Sequence, residues 1–140
     1  MSVLDASVAL KWVLPESDTP KAVRLRDEFR QGLHELVAPD VFVAEVAHAL
    51  TKAERRGVIL VGVAERRMLS VLNCLPDLVP SLPLVRRAIQ IASRARIAVY
   101  DCLYVALAER EGQEFITADR KVINALQKDF PFIRDLATMP

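Results

Sequence analysis

Four acidic residues raise the question of chemistry in this chain. Asp5 closes the short apolar run SVL, and Asp119 follows EFIT with one alanine between them. Asp101 heads the segment DCLYVALAE, and Glu45 lies one turn into the stretch that opens at Asp40. Carboxylates gathered at one place form an oxygen-only ligand set, which suits hard ions such as Mg²⁺ or Mn²⁺ rather than zinc. Two carboxylates ~4 Å apart repel by ~4 kcal/mol at an effective dielectric of ~20. A group of four therefore needs protonation, basic partners or divalent cations. Beside these acids the sequence supplies fixed positive charge only at Lys11 and Arg120.

Taken singly, most of them have a plainer use. Asp5, Asp40, Asp101 and Asp119 all stand at expected helix starts, where a capping Asp contributes ~1 kcal/mol without any function. Glu45 is different, because it lies too far inside its helix to cap it. Phe42, Val46, Ala49, Leu50 and Ala53 form the apolar stripe of that helix. Glu45 is three residues from Phe42 and four from Ala49, so it sits on the edge of the stripe, facing the sheet.

The elements that must position these acids alternate along the chain. SVLD, HELVAP, DLVPSLP, EFITAD and FPFIRDL read as strands. ASVALKWVL, SDTPKAVRLRDEFRQG, DVFVAEVAHALTKAERRG, VILVGVAERRMLSVLNCL, LVRRAIQIASRAR, YDCLYVALAEREG and RKVINALQKD read as helices. Gly62 is expected to weaken the fourth helix only slightly. The sixth helix is apolar on every side from Cys102 to Ala108 and is expected to be buried. Such alternation predicts an α/β fold, a mostly parallel central sheet with helices on both faces, within a single domain spanning 1–140. Ligands of such folds bind beyond the carboxyl ends of the strands, near a topological switch point. Asp5 and Asp119 fall at that edge.

Composition narrows the classes. Hydrophobic residues make up 52% of the 140, yet 26% are charged and the formal net charge is only +1. No overall basic field marks a sequence-independent nucleic-acid coater. The positive charge is mostly arginine, in pairs such as Arg55-Arg56, Arg66-Arg67 and Arg86-Arg87. Cys74 and Cys102 are isolated and read as buried thiols in a reducing compartment. With no leader and no membrane-length apolar run, the expected location is cytoplasmic, without membrane contact.

The order VLDAS, then the helical Glu of PDVFVAEVAHAL, then AVYDCLYVALAE, then FITADRKV resembles the PIN-domain nucleases, and is most similar to the VapC-type toxins of toxin–antitoxin pairs. The resemblance covers nearly the whole chain and implies a three-layer α/β/α fold. It implies that Asp5, Glu45, Asp101 and Asp119 form the acidic, catalytic metal site. Thr117 of TAD would be a supporting hydroxyl, and Ser7 of DAS a helix-start residue close to it. A further acid of some relatives falls on Asn124 here, which leaves one ion or two open. The implied reaction is hydrolysis of RNA phosphodiester bonds with Mg²⁺ or Mn²⁺. Asp5 and Asp101 would be the main metal ligands, with Asp119 beside them, and Glu45 would orient water or complete a second metal position. The implied partners are an RNA substrate, a cognate antitoxin whose C-terminal segment places a basic side chain near the acids, and a second copy in a homodimer.

Other readings fit less well. Glu45 and His48 form an E-x-x-H pair, but a di-iron bundle needs two such pairs and no strands. Ser7 replaces the second acid of a D-x-D phosphatase motif, and LDAS lacks the paired acids of a phospho-receiver. The main alternative is a non-catalytic interaction module in which the acids are caps and apolar surface binds a helical partner. Trp12 is expected to pack against the core rather than stack on a base.

Overall fold

A computed structural model describes all 140 residues, Met1–Pro140. Five strands form one wholly parallel sheet: β1 (Ser2–Leu4), β2 (Leu36–Pro39), β3 (Asp77–Val79), β4 (Glu114–Thr117) and β5 (Ile133–Asp135), in the order β3-β2-β1-β4-β5. Seven helices complete the three-layer α/β/α arrangement: α1 (Ala6–Val13), α2 (Thr19–Arg30), α3 (Val41–Arg55), α4 (Val63–Leu72), α5 (Val85–Ala95), α6 (Val99–Glu111) and α7 (Arg120–Leu126). β1 lies at the centre, with Val3 in register with Val37 on one side and Phe115 on the other. Every residue of β1 is buried, as a strand covered on both faces requires.

The direction of winding reverses at β1. From there the chain first builds outward to β2 and β3, then returns to place β4 on the other side of β1 and β5 beyond it. The crevice between the carboxyl ends of β1 and β4 is therefore the topological switch point.

The core is one cluster of 33 buried residues. Cys102 to Ala108 of α6 are all buried, and the Tyr104 ring stacks on Phe115 with centroids 5.7 Å apart. Phe42, Val46, Leu50 and Ala53 of α3 are buried as its stripe predicts. Trp12 is buried and donates its indole N–H to the Ala22 carbonyl at 2.9 Å, a packing role. Both cysteines are buried and free. No helix is long and apolar enough to cross a membrane.

Three local expectations are corrected. The fourth helix does not start at Val58: Gly62 adopts φ +93° at its N-cap, a left-handed conformation that ends the preceding turn. Glu54, reaching across from α3, accepts from the backbone N–H groups of Gly62 (2.7 Å) and Ala64 (3.0 Å) and so caps α4 from outside. The DLVPSLP strand is only Asp77–Val79, and Leu82–Leu84 form a 3-10 turn after Pro80. Asp101 does not cap α6. Ala98 occupies that position, and Asp101 is the third residue of the helix.

Candidate active site

Asp5 emerges from β1 into the N-cap of α1, and its carboxylate is held on both oxygens. Oδ1 accepts from the Ser7 backbone N–H (3.1 Å) and the Ser7 hydroxyl (2.5 Å), and Oδ2 accepts from the Thr117 hydroxyl (2.5 Å). Thr117 ends β4, the strand beside β1 across the switch point, and is fully buried. Its Oγ1 also accepts from the Asp119 N–H at 3.1 Å, while Ser7 Oγ accepts from the Ala118 N–H at 2.9 Å. The two hydroxyls thus tie the β1–α1 turn to the β4–α7 turn. Burial pushes the Asp5 carboxyl up to about 7, against the lowering effect of the Ser7 and Thr117 hydrogen bonds; the charges of Asp119 and Asp101 add to the rise.

Three more acids share the cleft beside it. Asp101 stands in the first turn of α6, half-buried, with its carboxyl raised to about 6. Burial is the largest cause, Asp119 and Glu45 contribute repulsion, and Lys121 works the other way. Glu45 accepts from the Tyr104 hydroxyl at 2.6 Å, and burial raises its carboxyl despite that bond. Burial above all, with the charge of Glu45 and the bond to it, holds the Tyr104 phenol far above its ordinary value, so it remains a donor. Asp119 is the N-cap of α7 and accepts from the Lys121 N–H at 2.9 Å.

Asp5, Glu45, Asp101 and Asp119 all line one open cleft of about 690 Å³, with Ser7 at its wall. None of the four is ion-paired. Lys11 turns to Glu16 at 3.5 Å, and Arg120 to Asp135. As placed, no three acidic, histidine or cysteine side chains are close enough to hold one ion between them. The donor set nevertheless fits a hard divalent ion: every candidate ligand is a carboxylate oxygen. The raised Asp5 and Asp101 carboxyls are those whose repulsion such an ion would relieve.

Tyr104 lies three residues after Asp101, a spacing that puts both on one side of a helix. Within an all-apolar helix its hydroxyl carried no separate signal. On α3, Glu45, His48, Ala49 and Lys52 follow the i, i+3, i+4, i+7 pattern of one face and all line the cleft. No arginine lines it; Lys52 and His48 are its basic residues, and Tyr100 is its aromatic one.

The acidic cleft lies at the β1/β4 switch point of a parallel five-stranded sheet. The PIN domain family model matches residues 2–128, and the chain belongs to that family, among its VapC-type members. Ribonuclease VapC3 of Pyrobaculum aerophilum is 32% identical over 126 residues, covering 86% of this chain and 90% of that protein. The crystal structure of PAE2754 from Pyrobaculum aerophilum shares the fold, with a TM-score of 0.70 over 98% of this chain and 91% of that one, at 22% identity.

Proposed function

We propose that this chain is a single PIN domain acting as a divalent-metal-dependent endoribonuclease, the toxin of a VapBC-type toxin–antitoxin pair. The observation that carries this reading is the shared cleft. Four carboxylates, two of them with strongly raised pKa values, line one crevice without a paired cation. Functional sites are where such perturbation concentrates. The name of its relative, Ribonuclease VapC3, supports the substrate class, and the resemblance to VapC-type toxins supports the toxin assignment.

Asp5, Asp101 and Asp119 would hold Mg²⁺ or Mn²⁺. When bound, such an ion supplies charge neutralisation at the phosphoryl oxygens and lowers the pKa of water. Ser7 and Thr117 fix both oxygens of Asp5 before substrate arrives, so that carboxylate does not reorganise. Tyr104 fixes Glu45, which orients the attacking water and accepts its proton. Cytoplasmic residence fits two free buried thiols.

The antitoxin reading follows from the same repulsion. A basic side chain delivered by its C-terminal segment would neutralise the acids and compete with metal. A homodimer is supported by exposed apolar side chains, including Leu60 (80%), Val61 (90%) and Leu82 (83%). The non-catalytic alternative makes the acids helix caps. Asp5 and Asp119 do cap, but Asp101 and Glu45 do not.

The direct test uses purified, antitoxin-free protein and a labelled single-stranded RNA panel, with Mg²⁺, Mn²⁺ or EDTA. Metal-dependent cutting is expected, and absence of both cutting and metal binding would return the acids to structural roles.

A further inference from the structure

Tyr100 and Tyr104 stand one turn apart on α6 and are used in opposite ways. Tyr104 is buried, stacks on Phe115 and spends its hydroxyl on Glu45. Tyr100 is 57% exposed, and it lines the acidic cleft next to Asp101. Its hydroxyl meets no partner within the protein. An exposed ring at that place contributes little to the core, so folding does not explain it.

The cleft's other helix supplies the complement. Lys52 lines the same cleft, seven residues and about two turns beyond Glu45, and is exposed. It enters none of the protein's ion pairs. Without a bound cation four carboxylates repel a polyanion, so contacts elsewhere in the groove add to affinity for RNA. Single-strand binding grooves combine two devices: cations that track the backbone and aromatic faces on which unpaired bases stack. Both are present here, flanking the acids in sequence on two different helices.

We propose that Tyr100 is a stacking platform for an unpaired base next to the scissile phosphate, with Lys52 contacting the phosphate backbone. This rests on the ribonuclease reading and adds to it two substrate-positioning residues. A base in a duplex is already stacked on its neighbours and does not offer its face to Tyr100. The ring makes no base-specific hydrogen bond through its face, so Tyr100 adds affinity without reading sequence.

Two measurements test it. The first is kinetic. Tyr100→Ala should lower kcat/KM on single-stranded RNA roughly 5- to 150-fold, mainly through KM, while Tyr100→Phe and Tyr100→Trp retain activity. An abasic site at the stacked position should cost the wild type a similar factor and cost Tyr100→Ala little more. Lys52→Ala should reduce the salt slope of binding by about one. Equal kinetics of Tyr100→Ala and the wild type would overturn the platform while leaving the ribonuclease reading intact.

The second measurement does not depend on turnover. A short single-stranded RNA carrying 2-aminopurine is titrated in EDTA, where stacking quenches its fluorescence. Quenching by the wild type that is lost in Tyr100→Ala and kept in Tyr100→Phe supports the platform even where no RNA is cut. No quenching by the wild type, or quenching that survives Tyr100→Ala, overturns it. Tyr100 is exposed, so its variants should unfold at the wild-type temperature.

Discussion

The Thr117 hydroxyl, at the end of β4, donates to Oδ2 of Asp5, at the end of β1, across 2.5 Å of the switch-point crevice. The two residues are 112 positions apart in sequence. Their contact joins the two halves of the winding at the point where the candidate site begins. It also leaves Asp5 with no unsupported oxygen, because Ser7 holds the other one.

Removing that hydroxyl without changing shape isolates its effect. Thr117→Val should destabilise the fold by about 1–3 kcal/mol, since a buried carboxylate oxygen loses its donor. The Thr117 bond lowers the Asp5 pKa, so its loss should push that carboxyl still higher and move the rise of a pH–rate profile to higher pH. Urea unfolding and the pH dependence of cleavage check the two halves separately.

Asp5 should make stability depend on pH in an unusual direction for a carboxylate. Its folded value, about 7, lies above the ordinary 3.8, so the native state binds the proton more tightly than the unfolded chain. That stabilisation is complete below the unfolded value and is lost as pH rises through about 7. Asp5→Asn should therefore be more stable than wild type at about pH 8, by up to ~4 kcal/mol, with the gap narrowing toward about pH 5. Thermal unfolding of both proteins in EDTA across that range measures it.

Tyr104→Phe keeps the ring against Phe115 and removes only the donor to Glu45. Stability should fall by about 1 kcal/mol. The Glu45 carboxyl should rise further, because the lost bond was lowering it. Cleavage near neutral pH should then decline more than stability does, and part of the loss should return at higher pH. A drop in activity that is flat with pH would point to disturbed packing instead.

Glu54 gives a control away from the acids. Its carboxylate caps α4 through Gly62 and Ala64, so Glu54→Ala should cost about 1 kcal/mol of stability and leave cleavage unchanged. Denaturant midpoints and initial rates test both parts.

Much of this architecture is legible in the sequence. The alternating periodicities give all seven helices and all five strands, and the Asp5 and Asp119 positions follow from where apolar runs stop. The failures are local and physical. Helical periodicity runs on through Val58–Gly62, but the left-handed Gly62 breaks it, and its replacement cap comes from Glu54, a partner eight residues back on another helix. Asp101 looks like a cap because the apolar run begins after it, whereas Val99 and Tyr100 are already helical. The Thr117–Asp5 and Tyr104–Glu45 bonds span 112 and 59 positions, distances at which spacing carries no information. Family resemblance points to Thr117, and nothing in the chain singles out the Tyr104 hydroxyl.

The carboxylates of this cleft are proposed as a divalent-metal site. Calorimetric titration with Mn²⁺ at about pH 7.5 tests it most directly, on wild type, Asp5→Asn, Asp101→Asn and the distant Glu54→Ala. Saturable binding is expected in wild type and Glu54→Ala, abolished or weakened at least tenfold in both Asp variants, and weaker in wild type near pH 5.5, where Asp5 and Asp101 take up protons. Binding unchanged in Asp5→Asn and Asp101→Asn would contradict it.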